Sequence, residues 1–377
     1  MSRERTVVFA TPYFPPDVGG AETYVHSLAA ALHTVPGWRS IVITASSRAQ
    51  ADCFPVHRLP AVAKVSNTPL DPRWPARIRR ILRAERPDYL NVHTPVPGLA
   101  DAATLVAGNT PVVVTYHAAT LAKDGHPLFN TVARAYAFAE GFMLRRADLV
   151  LGVSDYVAER LRPRCGGKVG VLENAIAVGA LVPPVAGVRP YTAAFLARLD
   201  PTHSWKGLDL LLHAFRCTPE ARLLVIGDGA ARPGYEALAR KLGIADNVTF
   251  AGNLSGAAKF RVLRSARSVV LCPTSPNDAF PTVLLEAWAS RVPVIATAVG
   301  PLASLVDDGR NGLLAAPRSP EALADALRRL ERNPALAETI RGNAFELVRG
   351  RYTWEHRVAD FIRHLDALDR RGVSATR

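Results

Sequence analysis

Hydrophobic residues recur along this chain in short runs of strand length. Each run is followed by a polar break and then by a stretch whose apolar positions return every three or four residues. In the first half the runs are TVVFA (6–10), SIVITA (40–45), DYLNVH (88–93), PVVVTYH (111–117) and LVLGVS (149–154). Unbroken apolar runs of this length suit strands buried on both faces of a parallel sheet. Ala21 to Leu32 has the period of an amphipathic helix between two of them. Residues 174–190 interrupt the rhythm with several prolines and no period, and read as a linker. The alternation then resumes with YTAAFLA (191–197), LLVIGDG (223–229), VTFAG (248–252), SVVLCP (268–273) and PVIATA (293–298). Helical stretches follow from Leu208, near Tyr235–Leu242 and near Ala257–Arg264, and the tail reads as helix from Pro320 to about Arg371. Strand–helix alternation on this scale predicts α/β domains with doubly wound parallel sheets, one over 1–180 and one over 181–352, with a closing segment over 353–377.

Composition narrows the class. Of 377 residues 49% are hydrophobic and 21% charged, which suits two globular domains and excludes a disordered chain. No apolar run approaches the ~20 residues that span a bilayer. The opening MSRERTVVFATPYFPP lacks a long apolar region and a small-residue cleavage site, and is read as a cytoplasmic start. Cys53, Cys165, Cys217 and Cys272 lie far apart with no CxxC spacing, so buried, reduced thiols are expected and no metal site. The net charge is +13, and only six of the 46 basic residues are lysines. Such an excess suits nucleic acid, anionic lipid or phosphorylated small molecules. No basic run is interleaved with aromatics, which argues against nucleic acid. The densest cluster, RWPARIRRILRAER (73–86), is either a peripheral contact for a membrane surface or the solvated outer face of a helix.

Ligands of doubly wound sheets bind beyond the carboxyl ends of the strands, so the loops after strands hold the candidates. Gly19 and Gly20 precede a helix whose first amides can face an anion. There is no GxGxxG and no GxxxxGK[ST], and an ordinary tight turn explains the pair equally well. His93 and His117 end strands; each can serve a ligand or make a structural hydrogen bond. Arg198 follows a strand and Lys206 precedes a helix, an arrangement that suits a pyrophosphate, with solvated surface charge as the alternative. Gly227 and Gly229 flank Asp228 where a backbone approach is close. In NDAFPTVLLEAW (277–288), Pro281 fits a first helical position, and the amides of Thr282 and Val283 are then free for phosphate oxygens. Asp278 can accept from ligand hydroxyls. Glu286 sits among apolar residues and needs a polar partner; the vicinal hydroxyls of a ribose would serve.

Taken together, GGAE (19–22), TYH (115–117), EN (173–174), ARLD…KGLDLLLHAF (197–215), VIGDG (225–229), VTFAG (248–252), DAFPTVLLEAWAS (278–290) and DDGRNGLL (307–314) resemble the family 4 retaining glycosyltransferases over nearly the whole chain. The resemblance implies a GT-B fold, with two Rossmann-like domains facing a cleft and a terminal helix near Trp354 crossing back to the first domain. It implies that Gly19 and Gly20 approach the donor phosphates and the reacting sugar, and that His117 lies beside the sugar. Arg198 and Lys206 would hold the pyrophosphate, Phe250 and Gly227 would border the base and donor, and Glu286 would bind the ribose. Asp278, with Phe280, Pro281, Thr282 and Val283 behind it, matches the first acid of the family's E-x7-E motif. Glu22, Tyr24, His93 and His117 fall on the acceptor side.

Three departures qualify the match. Asp278 is one methylene shorter than the usual Glu. An insert from Thr202 to Trp205 gives the pattern His203-x-x-Lys206-Gly207 of a subset, which adds His203 to the phosphate site. Ala175 and Pro301 stand where glycine is usual. The resemblance implies a metal-independent transfer of a hexosyl or N-acetylhexosaminyl unit, UDP-linked by expectation, to a hydroxyl of a small metabolite or glycolipid. A nucleotide-sugar epimerase and a catalytically silent nucleotide-binding relative are the alternatives. No cofactor is expected.

Overall fold

The computed structural model describes residues 3–17, 19–48, 50–65, 68–118, 127–181 and 189–375. The chain forms two compact units: Met1–Ala175 with Trp354–Arg377, and Ile176–Thr353. The sequence boundaries at 180/181 and 352/353 therefore move to 175/176 and 353/354. The physical reason is local: Ile176 bridges to Thr353, and its N–H donates to the Tyr352 carbonyl at 2.9 Å. Asn174, Ala175 and Ile176 are all buried, as is Glu173 before them, so the linker reading fails at its start. Residues 182–188 of it lie outside the described residues.

In the first unit seven strands run parallel in the order Val56–Arg58, Trp38–Thr44, Arg5–Thr11, Tyr89–Thr94, Val112–Tyr116, Leu149–Gly152, Val169–Val171. Numbered along the chain within that sheet, the order is 3-2-1-4-5-6-7. In the second unit six parallel strands lie in the order Val248–Phe250, Leu223–Ile226, Tyr191–Leu196, Ala266–Leu271, Val294–Thr297, Leu313–Ala315, which is 3-2-1-4-5-6. Both are doubly wound sheets, each with a switch point where the strand order reverses. The central strands are buried on both faces, as their apolar runs require: Val7, Val8, Phe9 and Ala10 are wholly covered, as are Val112, Val113 and Val114. A small antiparallel pair, Ala63–Val65 with Thr68–Leu70, stands apart.

The helical tail comprises three helices. Pro320–Arg332 ends at Asn333, whose side chain caps Pro334–Arg351 by accepting from Leu336 N–H at 3.0 Å. After a break at Tyr352–Thr353, the helix Trp354–Ala375 belongs to the first unit. There Arg357 reaches Glu173 at 3.0 Å in a buried ion pair, Arg5 meets Asp366 at 2.8 Å, and Tyr89 Oη donates to Asp369 at 2.6 Å. Phe361 packs on Phe9 with ring centres 6.1 Å apart. Glu173, part of the EN motif, thus has a structural task.

The basic helix, Trp74–Glu85, turns Trp74, Ile78 and Leu82 into its own unit and leaves Arg77, Arg79, Arg80 and Arg83 exposed. Its apolar stripe is already occupied, so any membrane contact through it is electrostatic and not an insertion. Among the described residues no helix is long and apolar enough to cross a membrane. The thiols correct the expectation of burial: Cys272 is buried, but Cys53 and Cys217 are exposed.

Candidate active site

The switch point of the second sheet lies between Tyr191–Leu196 and Ala266–Leu271, and the loops leaving these two strands, with the helix Thr282–Ala289 after the second, carry most of the donor-side candidates. Arg198 follows the first strand. Its guanidinium forks onto Asp200 Oδ2 through Nε at 3.1 Å and Nη2 at 3.0 Å, and is largely exposed. A single 3-10 stretch, Pro201–Lys206, leads on to Lys206. His203 stands in it, 3.1 Å from the Thr202 hydroxyl and stacked beside Trp205. Gly207 closes the turn at φ +80, where a Cβ would lie 2.1 Å from the Cys272 carbonyl oxygen. Thr274 N–H donates to the Trp205 carbonyl at 2.8 Å. The two switch-point loops are therefore laced together, and only glycine fits where they touch.

Gly227 and Gly229 pack against the same loop. A Cβ at Gly227 would be 1.8 Å from the Ala197 carbonyl oxygen, and one at Gly229 2.4 Å from the Leu199 carbonyl carbon. Their close approach is to the backbone that carries Arg198; they brace the loop. Phe250 is partly buried on the core of this unit, with the Arg232 guanidinium 5.6 Å above its ring.

The run Asp278–Trp288 enters the helix Thr282–Ala289. Pro281 is the residue before the helix, extended at ψ 105, and not its first turn as the sequence suggested. Its carbonyl accepts from Leu284 N–H at 3.0 Å. The amides of Thr282 and Val283 fall in the first turn, where a helix supplies no acceptor of its own and its dipole favours anions. Phe280 is buried against Tyr352 with ring centres 6.0 Å apart, so it anchors the loop and is no ligand surface. Trp288, wholly buried, packs on the same tyrosine.

The two acids of this run each meet a lysine. Asp278 Oδ2 accepts from Lys206 Nζ, and Glu286 Oε1 accepts from Lys259 Nζ at 2.6 Å. Lys206 also lies 4.4 Å from the centre of the Trp205 ring. Lys259, on the helix Gly256–Leu263, is the polar partner that Glu286 required, and sequence reasoning missed it. Its one signal was compositional: in an arginine-rich chain with six lysines, two face acids here. Arg198, Lys206 and Lys259 are thus each paired with a carboxylate of the chain.

In the first unit Gly19 caps the helix Gly20–His33 in an extended conformation, with the Glu22 carboxyl folded over it; a Cβ there would lie 2.1 Å from Glu22 Oε2. Gly20 has open space where a Cβ would be. His93 Nδ1 and His117 Nε2 are 2.8 Å apart, with the rings stacked at 5.1 Å. Burial pulls the His117 pKa down to about 3. Burial, with the neighbouring His117, pushes His93 well below the ordinary range. Tyr24 stands edge-on to His117 at 4.9 Å and to Trp354 at 5.2 Å, and its hydroxyl donates to the Leu172 carbonyl at 3.0 Å. Tyr24 and His93 are both buried, so the expectation that they contact an acceptor is corrected: they hold His117. His117 keeps partial exposure.

Two doubly wound units, with basic side chains and a helix amino end at the switch point of the second, define the GT-B class of architecture. Solved structures agree in fold: sucrose-phosphate synthase from Thermosynechococcus elongatus superimposes with a TM-score of 0.77 over 98% of this chain and all of that one, at 21% identity. Anabaena HepE in complex with UDP gives 0.77 over 96% of this chain and all of that one, at 18% identity. Residues 18–179 match the family described as glycosyltransferase family 4, and residues 186–347 the one described as glycosyl transferases group 1. The phosphatidyl-myo-inositol mannosyltransferase of Mycobacterium leprae is 30% identical over 305 residues, 78% of each chain. The D-inositol 3-phosphate glycosyltransferase of Kribbella flavida is 29% identical over 90% of this chain and 88% of its own. The chain belongs to the family 4 glycosyltransferases.

Proposed function

We propose that this glycosyltransferase moves a hexosyl unit from a nucleoside-diphosphate sugar, UDP-linked, to a hydroxyl of a small metabolite or glycolipid, with retention of configuration. The observation that carries the reading is the cluster at the second switch point: Arg198, Lys206 and the first turn of Thr282–Ala289 on laced loops, with Asp278 and Glu286 on the same run. A diphosphate leaves with added negative charge, and two cations with a helix amino end stabilise it electrostatically. In the reaction the bond from the anomeric carbon to the phosphate oxygen breaks, and one to the acceptor oxygen forms on the same face. The acceptor proton passes to the departing phosphate. Because these protein cations supply the charge, no metal is invoked; undiminished turnover in excess chelator is the expected result.

Lys206 has to leave Asp278 for the phosphate, which frees Asp278 to accept from a sugar hydroxyl. Glu286, oriented by Lys259, takes the ribose hydroxyls. His203, in its His-x-x-Lys-Gly setting, borders the phosphates. Inositol-bearing acceptors are the first to try, given the names of the relatives. The test is nucleotide release with a panel of donors, in the wild type and in Arg198→Ala and Glu286→Ala. Full turnover in both variants would sink the assignment; product without acceptor would indicate an epimerase. Sedimentation with anionic liposomes, at low and physiological salt, separates a lipid acceptor met through the arginines of Trp74–Glu85 from a soluble one.

A further inference from the structure

The paired histidines of the first unit share one hydrogen between two nitrogens, and their surroundings decide who owns it. A neutral imidazole carries a single N–H. Both rings are held neutral at pH 7 by burial. Two arrangements are open to the 2.8 Å contact. In one, His117 donates through Nε2 and His93 keeps its proton on Nε2. In the other, His93 donates through Nδ1 and its Nε2 is bare.

His93 Nε2 is buried and has no hydrogen-bond partner among the described residues. Its walls are aromatic: the Phe9 and Tyr24 rings lie with centres 6.1 Å from that of His93. The Tyr24 hydroxyl donates to the Leu172 carbonyl at 3.0 Å, and its oxygen is not within hydrogen-bonding reach of Nε2. A buried donor without an acceptor is rarer in proteins than a buried acceptor left unfilled. The arrangement with the bare His93 Nε2 is therefore the stable one.

We propose that His93 is a positioning residue that donates from Nδ1 to His117 Nε2 and so fixes His117 as the Nδ1–H tautomer, presenting a hydrogen-bond donor and not a base. Free histidine side chains favour the opposite Nε2–H form, so the pairing overrides a default. A donor at His117 matches an oxygen of a bound sugar or acceptor; it cannot take the acceptor's proton, which is left to the departing phosphate. That last step rests on the transferase reading, whereas the tautomer does not.

The test uses the full chain labelled with 15N-histidine, without ligand, at pH 7.5. Long-range proton–nitrogen spectra report which ring nitrogen carries hydrogen; His93→Asn and His117→Asn assign the signals. Both rings should show a protonated Nδ1 and a bare Nε2. In His93→Asn the side-chain amide stands near the lost Nδ1 and should keep His117 in its tautomer, with turnover within a few-fold of wild type. In His93→Leu the donor is gone, His117 should revert to Nε2–H, and kcat should fall about tenfold with donor KM little changed. A protonated Nε2 on His117 in the wild type overturns the proposal, as does an unchanged His117 tautomer in folded His93→Leu. If that variant does not fold, the wild-type spectrum decides alone. The expected spectrum in a protein that transfers no sugar would defeat the functional reading and leave the tautomer standing.

Discussion

Replacing Asp278 by Asn should make the protein bind a nucleoside diphosphate more tightly while it transfers sugar less well. Lys206 is held by the Asp278 carboxylate, and both side chains are about a quarter exposed, 23% and 24%. A phosphate that recruits Lys206 must compete with that carboxylate. Two unit charges about 4 Å apart attract by about 4 kcal/mol at an effective dielectric of about 20. Partial exposure and screening reduce the net figure towards that of surface pairs, to about 1 kcal/mol. Asn keeps the shape and a hydrogen-bond acceptor but removes the charge, so UDP should bind about fivefold tighter. Titration calorimetry with UDP, on wild type and Asp278→Asn, measures this directly. The gain should shrink at high ionic strength. Transfer should fall, because the carboxylate offered to a sugar hydroxyl is lost. UDP affinity that is equal to or weaker than wild type would refute the competition between carboxylate and phosphate.

Three further outcomes follow from other parts of the molecule. Arg357→Ala breaks its buried pair with Glu173 at 3.0 Å and its pair with Asp360 at 2.7 Å; removing one side of a buried ion pair costs about 3–5 kcal/mol, which should appear as a large drop in melting temperature. Gly207→Ala places a methyl 2.1 Å from the Cys272 carbonyl oxygen at φ +80, so the laced loops should shift, with at least about 1 kcal/mol of destabilisation and weaker donor binding. Acid should destabilise the first unit through its histidines. The folded His117 value, about 3, lies below the ordinary 6.5, so between them the unfolded chain binds more protons. Stability is then fully present above 6.5 and is lost as pH falls towards 3, by at most about 1.4 kcal/mol per pH unit for His117. Urea midpoints between pH 7.5 and 5 should decline, and decline less steeply in His117→Asn.

Much of the architecture was legible because it is written locally. A strand buried on both faces must be apolar along its whole length, so Val7–Ala10 and Val112–Val114 announced themselves. The short strands Val56–Arg58 and Val169–Val171 did not, since half-buried edge residues need no such run. The tail was legible as helical, but its breaks at Asn333 and Tyr352 were not, because they depend on a cap and on packing.

The residue types of the candidate site were also visible in sequence: a cation after a strand, a cation before a helix, two acids around a helix start. What sequence left open was who faces whom. Lys206 and Asp278 are 72 residues apart, Lys259 and Glu286 are 27 apart, and His93 and His117 are 24 apart, one on a strand and the other just past the end of its neighbour. Such pairs exist only once parallel crossovers have brought strand ends together, and no local pattern encodes a partner's identity. The sequence by itself determined two α/β sheets and a set of charged loops at their carboxyl ends. Tertiary structure alone decided that Arg198, Lys206 and Lys259 are each already paired with a carboxylate. It also decided that Tyr24 and His93 are buried supports, because burial and hydrogen-bond partnership belong to the packed chain and not to any one segment of it.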